Sequence, residues 1–181
     1  MKEIFDKLGM TNTDWKLNGG RLDLNNTARP HAFNPPLYLP PIRVQEHYGF
    51  PDYPNGQLRT NARSLAKFMI PHLTDGTFEG QRLLDDATVK LMQEEEPGLP
   101  GNQGQNAFPQ GLSFYYTNVG GEYSVGHGGA EVGVSTEMWF VPRDGYGVVL
   151  LCSGDPYSTL EMRAYNRMMD ALVEVGRNGG F

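Results

Sequence analysis

Residues 122–152 read EYSVGHGGAEVGVSTEMWFVPRDGYGVVLLC, and this stretch decides the fold. It holds three strand-like runs, 122–127, 135–141 and 147–152, which are rich in β-branched and aromatic residues. The tetrapeptide Pro142-Arg143-Asp144-Gly145 between the last two runs is typical of a hairpin turn. The spacing therefore predicts an antiparallel β-meander.

Helical patterns flank this meander on both sides. Residues 111–116 predict one further strand, so antiparallel strands are expected across residues 111–152. Amphipathic helices are predicted over residues 60–70 and 158–175, because apolar residues recur there at helical spacing. Helices, then a meander, then a terminal helix are typical of an α+β fold.

Two shorter segments also have helical patterns. Residues 1–10 predict the end of a helix, with Ile4, Phe5 and Leu8 on its apolar face. A second short helix is predicted to begin near residue 85, where an aspartate can cap it. Because a domain seldom opens in the middle of a helix, the first segment suggests a missing neighbour.

The segment 11–57 has little periodicity and is rich in proline. Connections of this length are unusual inside a compact domain and are commonly functional or disordered. Six aromatic residues lie in this segment, whereas disordered segments are poor in them. Residues 11–57 are therefore predicted to form a long, ordered, Pro-rich loop that wraps a surface.

Composition and charge bound the class of protein. The length of 181 residues suits one domain, so a single domain is expected over residues 1–181. The formal net charge is −6, from 15 Lys and Arg against 21 Asp and Glu, and the Lys and Arg residues do not cluster. Because phosphate binding depends on clustered cations, a nucleic-acid binder is excluded. No stretch approaches the roughly 20 apolar residues of a membrane span.

Cysteine and histidine follow no metal-binding pattern. The lone Cys152 excludes an internal disulfide and a Cys-based zinc site, and it is predicted to be a small buried apolar residue. His31, His47 and His72 have no partner at metal-ligand spacing and are predicted to be surface or loop residues. Neither a metal nor a cofactor is expected.

Four stretches, in one order and spacing, carry a resemblance to a known family. Residues 4–10 are similar to a segment F-x-P-L-G-M, with Lys7 in place of the proline, and residues 56–68 to G-G-L-x-S-T-A-x-D-L-A-x-F. Gly126-His127-Gly128-Gly129 looks like the signature G-H-x-G, and residues 140–151 look like the strand pair after it. Together they resemble the C-terminal half of the serine β-lactamase and penicillin-binding protein family, which includes class C β-lactamases, DD-peptidases and related esterases.

The resemblance implies a fold, a reaction and a missing part. The implied fold is the C-terminal half of the β-lactamase/transpeptidase type, and the parent reaction is acyl transfer to a serine, followed by hydrolysis of an ester, amide or β-lactam. In the family, Ser-x-x-Lys and Tyr-x-Asn precede the segment that residues 4–10 resemble. The chain is therefore expected to be a partial domain, inactive alone. The family is commonly exported, but residues 1–6 do not read as a signal peptide, so the compartment is not indicated.

The resemblance also names candidate site residues. It places His127, Gly128 and Gly129 on the strand at the edge of the active site, where glycines admit a substrate carbonyl or carboxylate and the histidine donates a hydrogen bond or supplies charge. The same strand contributes one backbone N–H to the oxyanion hole, from near Gly129 or Ala130. The candidate substrate contacts from the long loop are Tyr38, Tyr48 and Tyr53.

Two other stretches keep alternative functions open. Ser64-Leu65-Ala66-Lys67 spells Ser-x-x-Lys on a predicted helix, and Tyr116-Thr117-Asn118 spells Tyr-x-Asn. The resemblance, however, places Ser64 at a routine helix position, and only eight residues separate Asn118 from His127, where the family inserts most of a subdomain. One alternative is a small hydrolase that uses Ser64 and Lys67. Another is a non-catalytic binding or assembly module that self-associates or pairs with a chain supplying the missing half.

Overall fold

The computed structural model of the chain describes residues 2–33, 42–98, 109–156 and 159–179. The side chains of Phe33 and Thr159 and the candidate contact Tyr38 lie outside this description. The helices are a π-helical turn Lys2–Asp6, 3-10 turns Leu24–Asn26 and Tyr53–Asn55, and α1 Ala62–Leu73, α2 Asp86–Gln93 and α3 Thr159–Arg177. The strands are β1 His31–Phe33, β2 Ile42–Val44, β3 Thr77–Phe78, β4 Gln81–Arg82, β5 Tyr115–Val119, β6 Glu122–Glu131, β7 Val134–Val141 and β8 Tyr146–Cys152.

A four-stranded antiparallel sheet forms the centre of the fold. Its strands lie in the order β5-β6-β7-β8, which is also their order in the chain. In the register, Val125 pairs with Phe140, and Trp139 pairs with Val148. The predicted α+β fold with an antiparallel meander is confirmed.

The two faces of the sheet pack against different helices, because successive side chains of a strand point to opposite faces. One face packs against α1 in a cluster of buried side chains: Met69, Phe114, Val125, Met138 and Phe140. The other packs against α3 in a second cluster: Trp139, Val148, Tyr165, Met169 and Val173. The sheet is thus covered on both sides, and only its edges can present backbone groups.

The start of the sheet differs from the sequence prediction. Strand β5 begins at Tyr115, so residues 111–114 are not in a strand. The Gly111 N–H donates to the Phe114 carbonyl oxygen at 2.9 Å, and Ser113 adopts a positive φ of 66°. Phe114 is nevertheless buried, so the apolar pattern marked burial in a turn rather than an additional length of strand.

Helix α1 runs further than its sequence suggests. Asn61 caps it, since its side-chain oxygen accepts a hydrogen bond from the Ser64 N–H at 2.9 Å. The helix continues through Pro71 to Leu73, whereas the prediction ended it at residue 70. Pro71 is fully buried, and this burial offsets the backbone hydrogen bond that a proline cannot donate.

The N-terminal segment packs through a π-helical turn. Phe5 and Leu8 are buried, as the apolar pattern indicated, and Phe5 stacks on Trp15 with ring centroids 5.2 Å apart. Ile4, by contrast, is exposed. Its predicted place on the apolar face was wrong because the π-helical turn has a different angular period from the α-helix that the prediction assumed.

The segment 11–57 contains secondary structure that its sequence does not reveal. Strands β1 and β2 pair antiparallel, with His31 opposite Val44. The His31 N–H donates to the Gly133 carbonyl oxygen at 3.1 Å, in the turn that joins β6 to β7. Tyr48 donates from its hydroxyl to the Val132 carbonyl oxygen at 2.9 Å. The segment therefore fastens onto the turn at the far end of β6.

Helix α3 includes Gly176, one residue beyond the predicted end of the helix. A Cβ at Gly176 would lie 2.4 Å from the Tyr146 ring, so the glycine allows that ring to pack against the helix. The helix is therefore two residues longer than the predicted 158–175 at its C-terminal end. None of the helices that the structure describes combines the length and apolar character required to cross a membrane.

Candidate active site

Strand β6 has an open edge over its second half. Strand β5 pairs with it only from Glu122 to Gly126. From His127 to Glu131, the strand pairs with β7 on one side, and no strand of the described part of the chain pairs with the other side. Backbone groups of these five residues that point away from β7, and that no side chain of the chain itself contacts, are therefore available to a partner.

The backbone of this edge has a defined orientation. The Gly128 N–H points away from β7 and donates to the Tyr115 hydroxyl at 2.8 Å. Successive residues of a strand direct their backbone groups to opposite sides. Ala130 therefore directs its N–H to the same side as Gly128, whereas Gly129 directs its own towards β7. Of the two residues predicted near an oxyanion hole, only Ala130 is oriented to serve.

His127 lies at the start of the open edge, with an exposed ring. The ring meets the edge of Tyr115 at a centroid distance of 5.1 Å. Its Nδ1 lies within hydrogen-bond distance of the Gly128 carbonyl oxygen. A proton on Nδ1 donates to that oxygen, which leaves Nε2 as the ring atom that can contact a ligand.

Behind the edge lies Glu137, a residue that the sequence reasoning missed. Its Oε2 accepts a hydrogen bond from the Trp139 indole Nε1–H at 2.6 Å. Burial raises the pKa of the Glu137 carboxyl, while the Trp139 N–H, the nearby Tyr165 hydroxyl and the charge of His127 act to lower it. A glutamate within the apolar run 135–141 was the one indication that the sequence offered.

Gly128 is confined by side chains from the α3 face of the sheet. A Cβ at this position would lie 2.7 Å from the Glu137 Oε2 and 3.1 Å from the Tyr115 hydroxyl oxygen. The indole N–H of Trp139 fixes that carboxylate. Packing alone therefore favours glycine here, apart from any need to admit a substrate.

Replacing Gly128 by alanine is expected to lower the free energy of unfolding by about 1–3 kcal/mol, because the new methyl group must displace the Glu137 carboxylate. Urea denaturation followed by circular dichroism measures the change. The control is Gly154→Ala, whose Cβ would approach no atom more closely than 3.9 Å and is expected to change stability by less than about 0.5 kcal/mol. Equal stability of the two variants would show that Glu137 does not confine Gly128.

The two tyrosines of the long loop that the structure describes lie in different places. Tyr48 is tied to the turn after β6 and lines a cavity of about 260 Å³ beneath the loop, together with Arg59 and Thr136. Tyr53 is exposed and lines a separate groove with Trp15. The structure thus places Tyr48, but not Tyr53, beside the β6 strand.

The Ser-x-x-Lys spelling on α1 serves structural contacts. Ser64 is buried, and its hydroxyl donates to the Thr11 carbonyl oxygen at 3.4 Å. The Lys67 Nζ donates to the Gly9 carbonyl oxygen at 3.0 Å. Both side chains therefore bind the N-terminal segment to the helix, and neither contact activates a nucleophile.

The Tyr-x-Asn spelling is structural as well. The Tyr116 hydroxyl donates to the Gln93 carbonyl oxygen, and the Tyr116 ring stacks on Tyr123 at 5.2 Å. The Asn118 side-chain oxygen accepts a hydrogen bond from the Gly121 N–H at 3.1 Å, within the turn between β5 and β6. These residues hold α2 and that turn in place.

The histidines that the sequence set aside have different environments. Within the residues that the structure covers, no group of three His, Cys, Asp or Glu side chains could hold a metal ion. His72 is 2% exposed, so the prediction of a surface or loop residue was wrong. It lies on the inner face of α1 against Phe114 and Phe140, where its ring packs as an aromatic side chain.

Comparison with known proteins gives a family match and several structural matches. A family model described as Beta-lactamase matches residues 1–172. The D-amino acid amidase of Ochrobactrum anthropi SV3 superposes with a TM-score of 0.72 and 21% identity, over 98% of this chain and 49% of its own. The octameric penicillin-binding protein homologue of Pyrococcus abyssi superposes with a TM-score of 0.68 and 16% identity, over 97% of this chain and 36% of its own. The D-alanine carboxypeptidase of Burkholderia cenocepacia superposes with a TM-score of 0.62 and 17% identity, over 92% of this chain and 52% of its own.

These matches show which fold the chain shares and how much of each neighbour's length it covers. At such low identities, the structural likeness shows a shared fold. The chain spans about half the length of the amidase and the carboxypeptidase, and a smaller share of the penicillin-binding protein homologue. No curated protein matches the chain.

Proposed function

The chain belongs to the beta-lactamase family of hydrolases, and from that premise we propose that it supplies one wall of an acyl-transfer site whose nucleophile and base come from elsewhere. The observation that carries the proposal is the open edge of β6 beside an exposed His127. Ser64 and Lys67 are committed to backbone carbonyls of the N-terminal segment. The edge therefore offers a binding surface without a nucleophile of its own.

The roles of the edge residues follow from their orientation. The Ala130 N–H donates to the oxygen of the substrate carbonyl, where negative charge develops during acyl transfer. The His127 Nε2 contacts the leaving group or a carboxylate of the substrate. Gly128 and Gly129 carry no side chains that would keep a substrate from the edge, and Tyr48 closes the end of the site near the turn.

The substrate class is an ester, amide or β-lactam. An amide of a D-amino acid receives the most support, because the structural neighbours include an amidase for such compounds and a D-alanine carboxypeptidase. In this proposal the chain alone holds the substrate carbonyl but does not cleave it. Cleavage requires the Ser-x-x-Lys and Tyr-x-Asn motifs of the family, which form and resolve the acyl-enzyme.

Incubating the purified chain with a serine-reactive fluorophosphonate, and in parallel with a penicillin, is expected to leave its intact mass unchanged. The reason is that Ser64 is buried and hydrogen-bonded, so it is not an activated nucleophile. The matched control is Ser64→Ala, which should behave identically. A stoichiometric adduct on the native chain that is absent from Ser64→Ala would overturn the proposal and support a small hydrolase that uses Ser64 and Lys67.

A second candidate function is assembly through the same edge. The octameric state of the penicillin-binding protein homologue supports it. The outer edge of β6 from His127 to Glu131 supports it too, because no described strand pairs there and an open strand edge can accept a strand from another chain. Light scattering on the labelling samples separates the two functions. A monomer at micromolar concentration would count against assembly and leave the acyl-transfer wall as the function.

A further inference from the structure

A second recess lies on the α3 side of the β6 edge. It is a groove of about 430 Å³ between the outer half of the sheet and the first turns of α3. The lining that matters here consists of Ala130, Glu131, Glu137, Asp155, Tyr165 and Asn166. The groove therefore borders Ala130, whose N–H points to the open edge of β6. It is distinct from the cavity that Tyr48 lines beneath the long loop.

The ionisable groups that line this groove are acidic. Glu131, Glu137 and Asp155 supply three carboxyl groups, and neither lysine nor arginine belongs to the described lining. An anionic ligand would be repelled by this arrangement. A metal ion is a poor fit too, because no three His, Cys, Asp or Glu side chains of the described residues lie close enough together to hold one.

Two polar atoms of the groove are buried without a hydrogen-bond partner among the described residues. Tyr165 is 8% exposed, and its hydroxyl lies close enough to the Glu137 carboxyl to lower the pKa of that group, although the geometry between them is not that of a hydrogen bond. Asp155 accepts the Gly133 N–H at 2.9 Å through Oδ2, whereas its Oδ1 is unpartnered. Leaving such groups unsatisfied costs free energy, which a ligand with N–H donors would recover.

We propose that the groove binds a protonated primary amine, held by the Glu137 and Asp155 carboxylates and the Tyr165 hydroxyl. An ammonium group has three N–H donors and no acceptor, which matches a site that offers acceptors and negative charge. The proposal rests on the proposed function for its biological meaning: the amine is then the free amino group of a substrate whose carbonyl lies at the Ala130 N–H. Amino-acid amides and esters have this arrangement, whereas N-acylated compounds do not.

The binding test compares two ligands of nearly equal shape, 2-phenylethylamine and 2-phenylethanol. The chain has two tryptophans, and the Trp139 indole N–H donates to Glu137. In a ¹H–¹⁵N spectrum, the amine is expected to shift the Trp139 indole signal in a saturable way and to leave the Trp15 signal in place. The alcohol is expected to bind at least roughly tenfold more weakly, because it lacks the charge.

Variants then identify the carboxylates. Glu137→Gln and Asp155→Asn are each expected to weaken amine binding by roughly tenfold. The matched control is Glu174→Gln, which removes an exposed carboxylate further along α3 and should leave binding unchanged. The ligand comparison on the unaltered chain stands even if a variant fails to fold.

Two results would overturn the amine site. One is a Trp139 signal that the amine leaves unmoved, and the other is equal binding of the amine and the alcohol. The measurement involves no acyl transfer, so a chain that never forms an acyl-enzyme can still pass it. Failure of the amine site would likewise leave the proposed role of the β6 edge intact.

Discussion

Replacing Phe140 by alanine is expected to lower the free energy of unfolding by about 3–5 kcal/mol. The side chain is fully buried on the central strand β7, where the sheet meets α1. Its ring contacts Phe114 edge-on at 5.4 Å and stacks with His72 at 5.9 Å. Since β7 is hydrogen-bonded on both sides, the backbone cannot collapse into the cavity, and the full cost of the cavity remains.

The control for this variant is Leu160→Ala on α3. Leu160 is 76% exposed, so its truncation is expected to change the free energy of unfolding by less than about 0.5 kcal/mol. Urea denaturation of both variants, followed by far-ultraviolet circular dichroism, gives the comparison. A loss below about 1 kcal/mol for Phe140→Ala would mean that the interface between α1 and the sheet is not the main core.

The meander could be predicted because its signals are local. Residues 135–141 and 147–152 alternate or run apolar between turn residues, and the turn Pro142-Arg143-Asp144-Gly145 joins them at hairpin spacing. The second half of β6 has no such pattern, since two of its five residues are glycine and neither a β-branched nor a large apolar residue is among them. Pairing with β7, from His127 opposite Met138 to Glu131 opposite Val134, holds it in strand geometry. That information lies in the partner strand rather than in the residues themselves.

The candidate site was predictable only in part for a related reason. His127 and its glycines form a motif that can be read along the chain, but the groups that orient them come from other elements. The Tyr115 hydroxyl reaches the Gly128 N–H from β5, and Glu137 lies against Gly128 from β7. Each contact depends on the register between strands, which a single sequence does not specify.

The strands of the Pro-rich segment 11–57 could not be predicted from the sequence. Strands β1 and β2 have three residues each, too few for a periodic pattern to exceed chance, and prolines surround them. What stabilises them is tertiary, namely the hydrogen bond from His31 to Gly133 and the contact of Tyr48 with Val132. The same contacts place Tyr48 near the β6 edge, so the local structure and the proposed site depend on one set of interactions.

Acidification is expected to destabilise the chain through His72. The ring is 2% exposed, and its two nitrogens have no hydrogen-bond partner in the described part of the chain. Burial lowers the pKa of His72 to about 4, whereas an unfolded histidine titrates near 6.5. Between these values the unfolded chain binds a proton that the folded chain excludes. The stability that depends on a neutral His72 ring is therefore fully present above about pH 6.5 and is lost as the pH falls towards 4.

The expected size of this loss is about 3 kcal/mol, because each unit of pKa difference corresponds to roughly 1.4 kcal/mol. The reference variant is His72→Phe, which keeps an aromatic ring beside Phe68, Phe114 and Phe140 but cannot be protonated. Carboxyl groups titrate in both proteins, so the difference between their stability curves from pH 7 to pH 4 isolates the histidine. Parallel curves would show that water reaches the ring in the folded chain and that His72 titrates near its ordinary value.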